Sequence, residues 1–463
     1  MFTLKHLIKP PLTKGFVQNV LTRCLFSQKG SGSKKYYDII IAGGGMIGTT
    51  LACTLGKNTR LSGKRILLLE SSKDSLYVLP EKYSNRVVSL NPGTKKSLTK
   101  IDAWKHINEA RFATVKRLQL MDALSDASIT FGEESSDKDI SYIVENNLII
   151  DAVKKEIKTT NNVEICYERK IKKYLIPGIE DNHVHIILEN GDEYSCDILI
   201  GCDGVNSQVR NAMGVHYLNW KYDNTGVVAT LTFSEEFDNC IAWQRWLPTG
   251  PIALLPLNNS QSSLVWSTIP ADAKKLLQLT NEQFVDAVNE AIWKVFKHNS
   301  YVDQVLKTFD GFLRVSNCSP GLNRRYPPKI VCVEEGSRNM FPLGFGHAAS
   351  YVAKGVALVG DAAHRVHPLA GQGVNLGFGD ITCLDNVLGE AAYSGSCLGN
   401  VNYLKVYETK RQRHNMSMMA GIEGLYRIYR SDLTPLVLLR SLGLQTIDVL
   451  NPVKKMVINH AST

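Results

Sequence analysis

The chain has 463 residues, 44% of them hydrophobic, enough to bury a large core across two domains; a disordered or fibrous protein is excluded. Its net charge of +9 is lopsided, because residues 1–35 hold seven basic residues (Lys5, Lys9, Lys14, Arg23, Lys29, Lys34 and Lys35) and no acid, leaving about +2 for the remainder. So small a residual charge gives no reason to expect a nucleic-acid partner. The leading stretch is basic, acid-free, dotted with Ser and Thr, and has no continuous apolar run, so it reads as a mitochondrial transit peptide and not a secretory signal.

Tyr36 to Ala42 (YYDIIIA) is rich in aromatic and β-branched residues and predicts a strand. It runs into Gly43-Gly44-Gly45-Met46-Ile47-Gly48, which fits G-x-G-x-x-G, and then into a helical stretch over Thr49 to Gly56. A second strand, Arg65 to Leu69, ends in Glu70, 22 positions after Gly48. That spacing is close to the ~20 expected of a carboxylate that holds a ribose hydroxyl. Strand, glycines, helix, strand and terminal acid predict a dinucleotide-binding βαβ unit. NAD and FAD both carry such a ribose and pyrophosphate, so this unit alone does not choose between them.

Farther along, EESSDKDI (133–140) reads as a solvated loop. DILIGCDGVNSQVR (197–210) reads as a strand, an Asp203-Gly204 turn, and a helix capped by Asn206 or Ser207. Residues 226–268 form a hairpin-rich sheet, with turns at Pro248-Thr249-Gly250 and Asn258-Asn259-Ser260; Trp243, Trp246 and Trp266 suit a wall over a ligand. Helical patterns follow at 279–299 and 401–430. Between them, Val356 to Val359 ends in Gly360-Asp361, and a Pro-Gly loop leads through Gly371, Gly373 and Asn375 into another helix. This is a buried strand, a carboxylate at its end, and a helix amino terminus suited to an electron-rich group.

Three such loops in this order resemble the flavoprotein aromatic hydroxylases of the para-hydroxybenzoate hydroxylase type. His367-Pro368-Leu369-Ala370-Gly371-Gln372-Gly373, followed by Asn375, Gly377 and Asp380, looks like the signature of the ubiquinone-biosynthesis hydroxylases within that group. The likeness extends through Trp243 to Pro248, Gly250 to Leu257, Leu264 to Thr268 and Glu408 to Asn415, and so over nearly all of the chain from Tyr36 onward. The resemblance implies FAD as cofactor. Gly43, Gly45 and Gly48 would accommodate its pyrophosphate, with Asp203 beside it, and Glu70 would hold the adenosine ribose. Asp361 would bond the ribityl chain, the backbone from Gly371 through Gly373 to Asn375 would face the pyrimidine edge of the isoalloxazine, and Arg86 would lie near the flavin.

It also implies the reaction: one oxygen from O2 enters a polyprenylated hydroxybenzoate or phenol ortho to its hydroxyl, with electrons from a ferredoxin-type donor and its reductase. The expected setting is the matrix side of the mitochondrial inner membrane, in peripheral contact with it and with other coenzyme Q biosynthesis proteins. Two rivals are a flavin-dependent isoprenoid reductase or dehydrogenase, and a prenyl-binding chaperone of the same fold without flavin.

The expected fold is a mixed α/β one: a Rossmann-like FAD-binding domain (36–110, 145–220 and 342–400), an inserted, mainly antiparallel substrate domain (111–144 and 221–341), and carboxyl-terminal helices (401–463) after the 1–35 leader. Ten scattered cysteines form no C-x-x-C pair, and His364 and His367 lack a third ligand at suitable spacing, so no metal is expected. Leu433 to Leu450, broken by Pro435, Arg440, Gly443 and Asp448, is too interrupted to cross a bilayer. It is expected either to touch the membrane or line the path of a greasy substrate, or else to cap the FAD domain.

Overall fold

The computed structural model describes residues 34–125, 127–132, 138–178, 182–297, 299–315, 326–450 and 453–454. Nearly all of the transit-peptide segment (1–33) and most of the expected 133–140 loop lie outside the described residues.

Two large sheets organise the rest. In the first, five strands run parallel in the order Val356–Leu358, Glu193–Gly201, Lys35–Ala42, Ile66–Leu69 and Val163–Cys166. The central strands are nearly continuous apolar runs because both faces are covered, which a parallel sheet requires; Ile39, Ile40, Ile41 and Leu67 are all fully buried. The helix Met46–Lys57 packs over this sheet and against the helix Asn146–Ile157.

The second sheet has nine strands around the long strand Tyr217–Phe233. On one side, Gln261–Thr268, Gly250–Pro256 and Ile241–Leu247 form the expected meander and continue into Arg117–Asp122 and Ser128–Phe131. On the other side lie Asn339–Ala348 and His364–Arg365, so this sheet reaches directly into the Gly-Asp loop. Alternation along the strands sends Val227, Trp243, Leu264 and Trp266 to one face, where Phe284 and Val288 of the helix Asn281–Trp293 cover them. A small third sheet pairs Val87–Leu90 and Ala113–Val115 with Ser141–Glu145. Pairing therefore cuts across the boundaries drawn from sequence: the 111–144 segment contributes to both the second and the third sheet.

The helices Val401–Arg430 and Thr434–Val449 close the structure. The second of these corrects one of the two expectations for it. It packs on the strand Ser128–Phe131 and the helix Ser300–Val315, on the substrate-sheet side, and does not cap the FAD domain. The reason is a buried ion pair: Arg440 Nε and Nη2 donate to the Asp122 carboxylate at 2.7 and 3.0 Å, while Nη1 donates to the carbonyls of Ile428, Tyr429 and Ser431. Leu433 and Leu439 of this region are 63% and 60% exposed. Among the described residues, no helix is long and apolar enough to cross a membrane.

Candidate cofactor and substrate site

Strand register draws the separate loops together. Ala42 lies opposite both Leu69 and Gly201, and Gly201 lies opposite Leu358. Gly43, Glu70, Asp203 and Gly360-Asp361 therefore leave the sheet along one carboxyl edge, where parallel α/β sheets bind ligands. Gly43 takes φ +103° and donates its N–H to Leu69 O at 2.9 Å; a Cβ there would stand 2.6 Å from Cys202 O. A Cβ on Gly48 would lie 1.9 Å from Gly43 O. Gly45 differs, since a Cβ there would meet nothing within 4 Å, and the helix Met46–Lys57 starts beside it with no capping side chain. Glu70 closes the loop by accepting from Gly44 N at 2.6 Å and Ser72 N at 2.7 Å. Burial would raise its carboxyl pKa, but those amide donors outweigh burial and lower it.

Asp203 caps the next helix: its Oδ2 accepts from Gln208 N at 2.7 Å and Val209 N at 3.1 Å, and its Oδ1 is buried without a partner. The expected cap at Ser207 forms as well, with its hydroxyl accepting from Arg210 N at 3.0 Å. Arg210 itself donates to Ala362 O and Val205 O, both at 2.8 Å, and lies over the Tyr217 ring at 3.6 Å, tying the Asp203 loop to the Asp361 turn. Ile47 is the knob around which the loops nest. It lies 3.4 Å from where a Cβ on Gly360 would be and 2.7 Å from that of Gly377.

Beneath this turn lies a network whose pairing no local sequence signal announces. Asp380 is completely buried; its Oδ2 lies 2.6 Å from His364 Nε2 and accepts from Gly360 N at 3.0 Å. Its Oδ1 accepts from Arg411 Nε at 2.7 Å and Asn415 Nδ2 at 3.2 Å. Burial pushes this carboxyl up, but His364 and Arg411 overcome it and hold Asp380 well below the usual carboxylate range. The Gly360-Asp361 turn thus sits on a charged foundation. Asp361 itself is exposed in surface terms, while its neighbours Gly360, Ala362, Ala363 and His364 are buried and protein atoms crowd round its carboxylate. That crowding raises its pKa, opposed by His364 and Arg365.

The remaining expected residues are placed differently from one another. The Asn375 side chain accepts from Asn91 N at 3.0 Å and Thr94 Oγ1 at 2.9 Å, and donates to Ser89 O at 2.9 Å and Gly371 O at 3.2 Å. It is a brace between the loop and the third sheet. Gly371 adopts φ +61°, 3.3 Å (as a Cβ) from Ser89, and the helix Gly373–Tyr393 begins without a capping side chain or an acid in its first turn. Arg86 is exposed at the start of the strand Val87–Leu90, with its backbone bonded to Ser84 Oγ and Asn146 N, and its side chain forms no ion pair among the described residues. An open glycine beside an uncapped helix, a second uncapped helix, a partnerless buried carboxylate oxygen and acids along one edge together fit a nucleotide bearing pyrophosphate and ribose. Among the described residues, no group of three or more His, Cys, Asp or Glu is arranged to hold a metal.

The second sheet meets this edge through the strands Asn339–Ala348 and His364–Arg365, and the space between the sheet and the His367–Gly373 loop is the candidate cleft. Of the three tryptophans expected to form a wall, Trp243 and Trp266 are on the opposite, helix-covered face, as alternation dictates. Trp246 clusters with Val366, Leu369 and Tyr429 on the cleft side. His367 is also there, fully buried, 4.9 Å from both the Tyr222 and Tyr426 rings, with neither ring nitrogen hydrogen-bonded. Burial lowers its pKa to about 4, so it is neutral at pH 7. Below the unfolded value of ~6.5, the unfolded chain takes up a proton that the native ring refuses until about pH 4. Stability is therefore expected to fall by roughly 3 kcal/mol across that window. Denaturation measured at pH 7.5 and 4.5 should show this loss, and His367→Phe should reduce it.

A family profile described as "FAD binding domain" matches residues 36–307 and 315–421. Ubiquinone biosynthesis monooxygenase COQ6, mitochondrial, of Xenopus tropicalis is 46% identical over 436 residues, covering 92% of this chain and 93% of that protein. The human protein of the same name is 44% identical, covering 94% of each, and that of Schizosaccharomyces pombe is 32% identical, covering 95% of this chain and 94% of the relative. Among solved structures, Pseudomonas aeruginosa PqsL in complex with 2-aminobenzoylacetate superposes with TM-score 0.67 at 18% identity, covering 89% of this chain and 99% of that one. The p-nitrophenol 4-monooxygenase PnpA of Pseudomonas putida gives 0.66 at 16% identity, covering 92% and 99%. These structural likenesses establish the fold; the sequence relatives and the domain profile go further, and the chain belongs to the COQ6 family of ubiquinone biosynthesis monooxygenases, FAD-dependent enzymes of the flavoprotein hydroxylase type.

Proposed function

We propose that the protein inserts one oxygen atom of O2 into the ring of a polyprenylated hydroxybenzoate or related phenol, ortho to the hydroxyl, in mitochondrial ubiquinone biosynthesis. The observation that carries this reading is the opposition of two surfaces: a carboxyl edge fitted to a dinucleotide, and a sheet face that presents mostly apolar side chains to the His367–Gly373 loop. In this reading Gly43, Gly45 and Gly48 admit the pyrophosphate at the uncapped helix start, with Asp203 beside it. Glu70 holds the adenosine ribose, Asp361 bonds the ribityl chain, and Gly371, Gly373 and Asn375 shape the backbone facing the pyrimidine edge. Arg86 stands at the rim. Bound FAD supplies the redox chemistry and activates O2. The protein's own contribution is to position the ring and, through Trp246, Val366 and Leu369, to keep water out.

Electrons come from a ferredoxin-type donor and its reductase, and the enzyme works on the matrix side of the inner membrane, alongside other proteins of the pathway. The exposed Leu433 and Leu439 support peripheral membrane contact. Holoenzyme incubated with polyprenyl phenols, O2 and a ferredoxin system should yield a product heavier by one oxygen, identified by mass. Reduction of the prenyl chain without oxygen uptake would instead establish the reductase reading, and protein purified without flavin the chaperone reading. Asp361→Asn should weaken FAD retention by roughly 1–3 kcal/mol through loss of a charge-assisted hydrogen bond, measured as flavin released on dilution. Unchanged retention would remove Asp361 from the ribityl contact.

A further inference from the structure

We propose that Gln244 orients the substrate ring, its side-chain Oε1 accepting a hydrogen bond from the phenolic hydroxyl; this rests on the phenol reading above. Register and alternation give its placement. Gln244 pairs with Leu120 on one side and Ala253 on the other; Ala253 pairs with Val265, and Val265 with Val228, so these five side chains form one row across five strands. The row lies on the face turned away from the Trp243 and Trp266 core and toward the His367–Gly373 loop. Leu120, Ala253 and Val265 are only half-buried, as expected of residues that line a cleft. Gln244 is the one member of the row that can hydrogen-bond, and no member titrates.

Its orientation follows from its partner. Gln244 Nε2 donates to Leu369 O at 3.2 Å, and a backbone carbonyl cannot donate in return, so the amide nitrogen faces the loop and Oε1 faces elsewhere. Oε1 takes no hydrogen bond from the described residues and is not sealed from solvent, although the residue is only 8% exposed. A neutral acceptor fixed in this way holds the phenol oxygen at one point against the sheet. It also draws the O–H bond out and enriches the ring carbons ortho to it, without taking the proton.

The test uses holoenzyme and ligand-induced changes in the flavin absorbance. A soluble short-chain prenyl phenol and its O-methyl ether are titrated into native protein, Gln244→Leu and Gln244→Met, with flavin content as the check on folding. The expected result is phenol binding weakened roughly tenfold in both variants, the worth of one hydrogen bond, with ether binding unchanged. Equal weakening for phenol and ether, or no weakening for either, overturns the proposal, because a residue that only braces Leu369 would not distinguish the two ligands. Native holoenzyme that responds to neither ligand would refute the phenol reading itself, and this inference with it.

Discussion

Gly48→Ala should yield protein without FAD and destabilised by at least the ~1–3 kcal/mol typical of overpacking, read as flavin content and denaturation midpoint. The new Cβ would stand 1.9 Å from Gly43 O, which is backbone, and 3.1 Å from Cys202 Cβ. Gly43 is held in place, because its N–H is bonded to Leu69 O and the adjoining Ala42 carbonyl accepts from Cys202 N. The clash would have to be relieved by moving the helix Met46–Lys57, and with it Ile47, out of its seat against Gly360 and Gly377. Gly45→Ala provides the contrast. A Cβ there meets no protein atom within 4 Å, so the apoprotein should be as stable as the native chain while FAD retention falls. If Gly48→Ala keeps flavin and melts like the native protein, the packing of the loops around Ile47 is not as described.

Arg411→Leu should cost about 3–5 kcal/mol in denaturant unfolding, the typical penalty for stranding a buried charge. It leaves Asp380 fully buried, with the His364 ring 2.6 Å away and the Asn415 amide as its remaining side-chain partners, and removes the donor to Leu376 O at 3.1 Å. The double variant Arg411→Leu/Asp380→Asn should recover part of the loss, since no charge is then stranded. The pH dependence has a definite sign. In the native protein the folded pKa of Asp380 is depressed, so its stabilising contribution is complete above ~4, the unfolded value, and is lost only as pH falls toward the much lower folded value. Removing Arg411 raises that folded pKa, so the single variant should lose its remaining advantage at a higher pH than the native chain. A single variant as stable as the native protein would mean that the Asp380 network does not support the cofactor turn.

That these loops meet on one sheet edge, the candidate cofactor edge, was legible because its signals are local. Glycines, a β-branched run and a terminal acid sit within a few residues of one another at Gly43 to Glu70, at Asp203 and at Asp361, and each pattern carries its own physical reason. The residues beneath, Asn375, Asp380 and the Glu408 to Asn415 stretch, stood out through the resemblance, but which of them pair was not legible. Asp380 meets Arg411 across 31 residues and Asn375 meets Asn91 across 284, and neither pairing leaves a periodicity to read. The tryptophans show the limit of composition: alternation on strand Ile241–Leu247 separates Trp243 from Trp246, but which face covers the cleft depends on where the helices dock. The Leu433 to Leu450 segment shows the same limit. Its pattern left a membrane contact, a substrate path and a cap on the FAD domain all open, and Asp122, far away in sequence, decides what the segment lies against.

That distant partnership bears on how the protein is made. Asp122 leaves the ribosome 318 residues ahead of Arg440, so its acid must wait, still hydrated, until almost the whole polypeptide has been synthesised. A transcript ending early, just past Arg430, would release a chain that keeps Gly43, Gly45 and Gly48 but leaves Asp122 a lone anion on the hairpin of strands Arg117–Asp122 and Ser128–Phe131. Such a product would be expected to expose that hairpin and be removed by quality-control proteases.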